Sequence, residues 1–235
     1  MTAADVKYEV LSGRGNAELL PSEIDGASTF VRTASKNCPY KATVGADEAR
    51  VIILYEGSAT LEGERYDEIT VFAFAPCDSF AFEADSASFF EVRWQLLEGE
   101  SVDTSKFPYA LRYADALKYR EECKSEKTIS RMLLDEGVIP RLAIGSVETH
   151  GLDRIEKHTH PYCDQLFYTL PECSMELLVD DISVHFDGDT LLHIPLASSH
   201  GVDVTERGCA HYIWVDFVID PRGIEYLHSA HEKIE

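Results

Sequence analysis

The strongest constraint on the fold of this chain is a succession of short β-prone runs separated by turn-forming residues. "ARVIILYEGSATLEGERY", "EITVFAF", "ASFFEVRW", "QLFYTL", "MELLVD", "TLLHIP" and "AHYIWVDFV" are rich in β-branched and aromatic residues and are broken by Gly, Pro, Asp or Ser clusters. This pattern predicts an all-β protein. One stretch departs from it: Tyr113 to Leu133, "YADALKYREECKSEKTISRML", has helix-forming composition and few turn residues, and is expected to form a helical connector. The β-rich runs also repeat. "RVIILYEG" superposes on "QLFYTLPE" at an offset of 115, and "AFAPCDSFA" on "LHIPLASSH" at an offset of 119; Trp94 and Trp214, offset 120, each fall in the last strand of their half. The expected organisation is two copies of one β-unit, residues 1–105 and 136–235, joined by a partly helical linker over 106–135.

Charge narrows the partners. In 235 residues, 21 Lys and Arg stand against 42 Asp and Glu, a formal charge of −21. That balance opposes nucleic acid or an anionic membrane as partner and points to a small molecule. No apolar run reaches the ~18–20 residues needed to cross a bilayer, and "MTAADVKYEV" lacks the basic start and apolar stretch of a signal peptide, so a cytoplasmic location is expected. The six cysteines have no C-x-x-C spacing and read as reduced, mostly buried thiols.

Two segments of the second half carry the chemistry. "GLDRIEKHTHPYCDQLFYTLPE" contains Gly151, His158, His160 and Gln165, and "GDTLLHIPLASSH" contains Gly188, Pro195 and His200. Together they resemble the two motifs of the cupins, small double-stranded β-helix (jelly-roll) barrels, over roughly Gly145 to Ile219. The repeat extends a weaker version over the first half, so the whole chain resembles a bicupin. Gln165 stands where the family motif has Glu, Ala197 and Glu172 stand where it has Gly, and one extra residue precedes both His158 and Pro195.

The spacing has a physical reason. In a strand, residues i and i+2 face the same side, so His158 and His160 point together, Gln165 on the next strand can reach the same point, and His200 closes the set. Three neutral imidazoles and an amide oxygen suit one divalent transition ion (Zn, Mn, Fe or Ni), with positions left for water or substrate. Asp164 is the alternative fourth ligand: strand periodicity alone does not choose between it and Gln165, and the family spacing favours Gln165. In the first half the matching places are Thr43, Gly45, Arg50 and Ala81, which cannot build such a site, so that copy is expected to hold no metal.

Other polar residues read mostly as structural. Tyr162, His193 and His211 are weak candidates for catalytic roles, His150 and His185 flank turns, and His228 and His231 sit in a helix-like tail; Cys163 is a poor ligand. The His-His-Gln-His set is similar to that of cupins that open or isomerise uronate sugars and of some polyketide cyclases. This likeness implies an isomerase or lyase that polarises a carbonyl of a small, oxygen-rich anionic substrate. An Fe(II) dioxygenase and a non-enzymatic small-molecule sensor are the alternatives. Exposed sheet edges suit pairing with a second copy, and a homodimer is expected.

Overall fold

The computed structural model describes residues 6–220 together with 222, 223, 225, 232 and 233; His228 and His231 lie outside these. The described chain is built from strands: β1 (Tyr8–Val10), β2 (Ala17–Leu19), β3 (Ala27–Ser35), β4 (Tyr40–Thr43), β5 (Glu48–Gly57), β6 (Ala59–Leu61), β7 (Glu64–Tyr66), β8 (Thr70–Phe74), β9 (Ser79–Phe82), β10 (Ser86–Gln95), β11 (Tyr109–Arg112), β12 (Leu117–Arg120), β13 (Ile129–Ile139), β14 (Leu142–His150), β15 (Asp153–His158), β16 (Cys163–Thr169), β17 (Ser174–Val179), β18 (Ile182–Asp187), β19 (Thr190–Ile194), β20 (His200–Val204), β21 (Cys209–Val218) and β22 (Glu232–Lys233). Among the described residues no helix is long and apolar enough to cross a membrane.

The chain divides into two compact units. Gly13–Ala116 with Val138–Pro140 form one; the segment up to Ser12, Leu117–Gly137 and the chain from Arg141 onward form the other. The N-terminal strand β1 thus belongs with the second half of the sequence, where it pairs antiparallel with β19.

In the Gly13–Ala116 unit the main sheet runs β11-β8-β5-β10-β3-β2, and the pairs β4-β9 and β6-β7 complete the fold. Its core is aromatic: Tyr40, Tyr66, Phe72, Phe74, Phe80, Phe82 and Phe89 pack with Ile52 and Leu54. Such rings bury large apolar areas. Above them Glu91, fully buried, is paired with Arg32 at 2.5 Å, Arg93 at 3.1 Å and Arg50 at 3.2 Å.

In the other unit the order β19-β16-β21-β14-β13 continues the long sheet, and a second layer is made by β15, β20, β17 and β18. Val147, Phe167, Tyr212 and Trp214 of the first layer meet Ile155, Met175, Leu177, Val179, Val202 and Val204 of the second. Strand β21 is buried at every position, which is why "AHYIWVDFV" is almost continuously apolar. Close packing needs Gly145: a Cβ there would lie 2.2 Å from Trp214 Cζ2 and 2.6 Å from the Arg131 carbonyl oxygen.

Two sequence expectations are corrected here. Tyr113–Leu133 is not helical: a 3-10 turn at Tyr113–Asp115 leads into β12, a strap of turns over residues 121–128, and β13. Leu117 and Tyr119 pair with Met132 and Ser130, and Tyr119 is buried with its hydroxyl accepting from Trp214 Nε1 at 3.2 Å. Helix propensity differs between residues by only tenths of a kcal/mol, and tertiary packing outweighs it. The second concerns the tryptophans, which do fall in the long strands β10 and β21 but not at matching positions. Arg93 stands opposite Arg50 and Asp216 opposite Gln165, an offset of 123 along the last long strand rather than 120. Trp94 and Trp214 therefore occupy non-equivalent places, since an odd shift turns a side chain to the other face.

Candidate metal centre

Strand β15 ends at His158, which pairs with His200 at the start of β20 across a register irregularity; His160 lies two residues beyond. The three rings meet. Their centroids are 5.0 Å (His158 to His160), 4.5 Å (His158 to His200) and 5.4 Å (His160 to His200) apart, and one ring nitrogen from each lies within 4.8 Å of the others. Gln165, on β16, lines the same cavity, which is bounded also by Glu121, Lys124, Phe167, Tyr212, Trp214 and Asp216. Its volume is about 20 Å³, enough for about one water or ion.

The hydrogen bonds fix what the rings present. His158 Nδ1 lies 2.9 Å from the Glu156 carbonyl and His200 Nδ1 lies 3.1 Å from that of Ser198. A carbonyl only accepts, so both rings carry their proton on Nδ1 and leave the Nε2 lone pair for the cavity. His200 Nε2 is buried and makes no hydrogen bond. An unpartnered acceptor in the interior costs about 1–3 kcal/mol, a cost that a bound cation removes. Burial lowers the His158 pKa and takes His200 down to about 3, with His158 and Lys124 adding to the effect on His200. Burial thus favours the neutral form of these two rings, the form that binds a metal. Gln165 Nε2 donates to Asp216 Oδ1 at 2.7 Å, which orients the amide and leaves Oε1 as its donor atom toward an ion. The residues present therefore fit a divalent transition ion.

Of the other sequence candidates, none reaches the cavity. Asp164 faces the opposite side of β16 from Gln165, where it accepts from the Leu196 amide at 2.9 Å and meets His193 Nε2 at 3.1 Å. His193 is engaged there. His211 alternates with Tyr212 and points away, to Glu172. Tyr162 lies under the Arg222 guanidinium, 4.9 Å from ring centroid to Cζ. Cys163 is buried and its thiol pKa is raised by burial. His150 and His185 are exposed beside carboxylates. In the other unit Thr43 bonds Ser79, Arg50 is held by Glu48 and Glu91, and Ala81 is on the exposed face of β9, so these places do not converge.

Sequence reasoning missed Glu121, Lys124 and Asp216. A lone Asp among the apolar residues of "YIWVDFV" was a usable signal once Tyr212, Trp214 and Asp216 are placed on the inner face. Glu121 and Lys124 gave none, because they were assigned to a helix. They form an ion pair on the strap, and Lys124 Nζ also donates to Ser130 Oγ at 3.0 Å. Burial pushes the Lys124 pKa down to about 7, against the pull of Asp216; the Glu121 carboxylate beside it favours the ammonium form.

No protein-family profile matches the chain, and no curated protein matches it. Solved structures do. The cupin 2 conserved barrel domain protein from Leptotrichia buccalis superposes with a TM-score of 0.58 at 14% identity, covering 92% of this chain and 89% of that one. The chain has the cupin fold. An IolB-like protein from Salmonella typhimurium gives 0.64 at 11% identity, with 91% and 92% covered. Oxalate decarboxylase from Bacillus subtilis gives 0.63 at 12% identity, with 92% and 76% covered. The β-barrel, jelly-roll architecture is common to these matches.

Proposed function

We infer that this chain is a metal-dependent bicupin enzyme, with the ion held only in the second barrel, and that it acts on a small, oxygen-rich anionic metabolite by lyase or isomerase chemistry. The observation that carries the reading is the convergence of His158, His160 and His200, with the tautomers of His158 and His200 set by backbone carbonyls and the buried Nε2 of His200 unpartnered. His158, His160, Gln165 and His200 would hold the ion, which when bound supplies charge to polarise a substrate oxygen. A neutral Gln165 leaves that charge undiminished, which favours an anionic substrate. Around it, the side chains divide the proton work. Burial raises the Tyr212 phenol above its ordinary value, so it stays protonated and can only donate to a developing oxyanion. The carboxylate of Asp216 is the proton acceptor on the cavity wall. The small volume favours a compact acid, and the likeness to oxalate decarboxylase, whose Mn(II) centres are named in one matching structure, supports the lyase branch.

The test is elemental analysis of protein purified without added metal, followed by a turnover panel of small dicarboxylates, 2-oxo acids and uronates with and without oxygen. About one Mn, Zn, Fe or Ni per chain and oxygen-independent turnover are expected. Absence of any bound transition metal would overturn the reading, and oxygen consumption coupled to turnover would replace it with a dioxygenase.

A further inference from the structure

The cavity at the three histidines contains a buried ion pair that metal binding does not require. Glu121 and Lys124 side chains are each 8% exposed and are carried on the strap between β12 and β13, not on the strands that bear the histidines. Burying such a pair is costly. The desolvation of two charges is only partly returned by their attraction, and an apolar pair of similar volume would commonly serve stability as well or better. The strap is fastened independently of it: Ser125 Oγ and Thr128 Oγ1 donate to Asp153 at 2.9 and 3.1 Å, and the Glu156 amide donates to the Cys123 carbonyl at 2.8 Å. Folding alone therefore gives little reason for the pair.

Charge and volume give one. The wall beside the histidines carries one basic side chain, Lys124, and two acidic ones, Glu121 and Asp216, so an anion that entered alongside Glu121 would meet like charge. The cavity of about 20 Å³ cannot admit even a two-carbon acid beside an ion while Glu121 stays in place. An incoming carboxylate that takes the place of the Glu121 carboxylate solves both problems, because it exchanges like for like and leaves the Lys124 ammonium paired throughout. Ser130 Oγ also accepts from that ammonium at 3.0 Å and remains as its partner when Glu121 leaves.

Resting on the reading of this cavity as the reaction site, we propose that Lys124 is the seat of a substrate carboxylate and that Glu121 is an internal carboxylate occupying the seat until substrate displaces it. The ligand class is a small monocarboxylate with an oxygen on the adjacent carbon, a 2-hydroxy or 2-oxo acid: its carboxylate goes to Lys124 and its second oxygen faces the histidines.

The experiment measures affinity, not turnover. Glycolate and pyruvate are titrated against their neutral amides, glycolamide and pyruvamide, by calorimetry and by thermal shift, on Zn-loaded and on chelator-treated protein. Metal content is measured in parallel. Wild type should prefer the carboxylates. In Glu121→Ala, with the internal competitor removed, carboxylate affinity should rise at least tenfold while amide affinity does not. In Glu121→Gln/Lys124→Met, which removes both charges and so avoids stranding one in the interior, the preference should vanish, a loss of about 10- to 100-fold for a charge-assisted contact, with metal content unchanged. A merely structural pair would weaken binding, or leave it alone, in both variants. No carboxylate preference in wild type, no gain in Glu121→Ala, or a preference surviving in the double variant each overturns the seat, and leaves the metal reading standing if the metal is retained. Protein that holds no metal yet shows the opposed changes overturns the metal reading and sustains the seat.

Discussion

Gln165→Glu tests why an amide occupies the place where the cupin motif has a carboxylate. Gln165 Nε2 donates to Asp216 Oδ1 at 2.7 Å, and the two residues are 4% and 2% exposed. A carboxylate in place of the amide would set two negative oxygens at that separation. At an effective dielectric of about 20 their repulsion is about 6 kcal/mol, so in metal-free protein the pair must share one proton. The folded variant then keeps a proton that its unfolded chain, with a glutamate pKa of about 4.3, has released. Because the folded state binds more protons in that window, stability relative to wild type falls as pH rises, by up to about 1.4 kcal/mol per unit. Between pH 5 and pH 7 the variant should therefore lose about 2–3 kcal/mol more than wild type. Urea unfolding of chelator-treated protein at pH 5, 6 and 7, followed by tryptophan fluorescence, measures this directly. A stability difference constant within about 0.5 kcal/mol over that range would refute the contact between positions 165 and 216, since the predicted slope is several times larger.

Three further outcomes follow from other parts of the second-half unit. His200→Ala should abolish metal retention with the strand content preserved, as checked by elemental analysis and circular dichroism; unchanged metal content would remove His200 from the site. Gly145→Ala places a methyl group against Trp214 and the Arg131 carbonyl and should cost about 1–3 kcal/mol, read in a denaturant melt; smaller Trp214→Phe should recover part of the loss in the double variant. Asp153 accepts hydrogen bonds from Thr149, Ser125, Thr128 and the Arg154 amide, which outweigh burial and hold its pKa below the ordinary carboxylate value. Its contribution is therefore present above the unfolded value near 3.9 and lost as pH falls through the lower folded one. Asp153→Ala should cost about 2 kcal/mol at pH 7, with the difference from wild type shrinking below pH 4.

The sequence by itself determined the strand-rich fold and singled out the three histidines that the structure brings together. The period of two that the sequence offers for His158 and His160 is a property of extended backbone, but β15 ends at His158 and His160 meets the other two rings from just beyond the strand. The resemblance to the cupin motifs located His200, which lies far from the other two along the chain. The offset across the last long strand was not legible, because register is set by pairing between strands rather than within one.

Only the tertiary structure decided the rest. It turned Gln165 rather than Asp164 to the cavity by packing one face of β16 against the inner layer, and it made Tyr212, Trp214 and Asp216 the inner face of β21, a strand buried on both sides whose composition gives no cue to direction. Above all it drew Glu121 and Lys124 into the site. Residues 113–133 favour a helix by composition, but Tyr119 gains burial and the Trp214 hydrogen bond as part of a strand, and a helix supplies neither. Local preferences of a few tenths of a kcal/mol per residue yield to such contacts. Two of the charged groups that line the cavity beside the histidines therefore come from the one segment whose local signal pointed to a different structure.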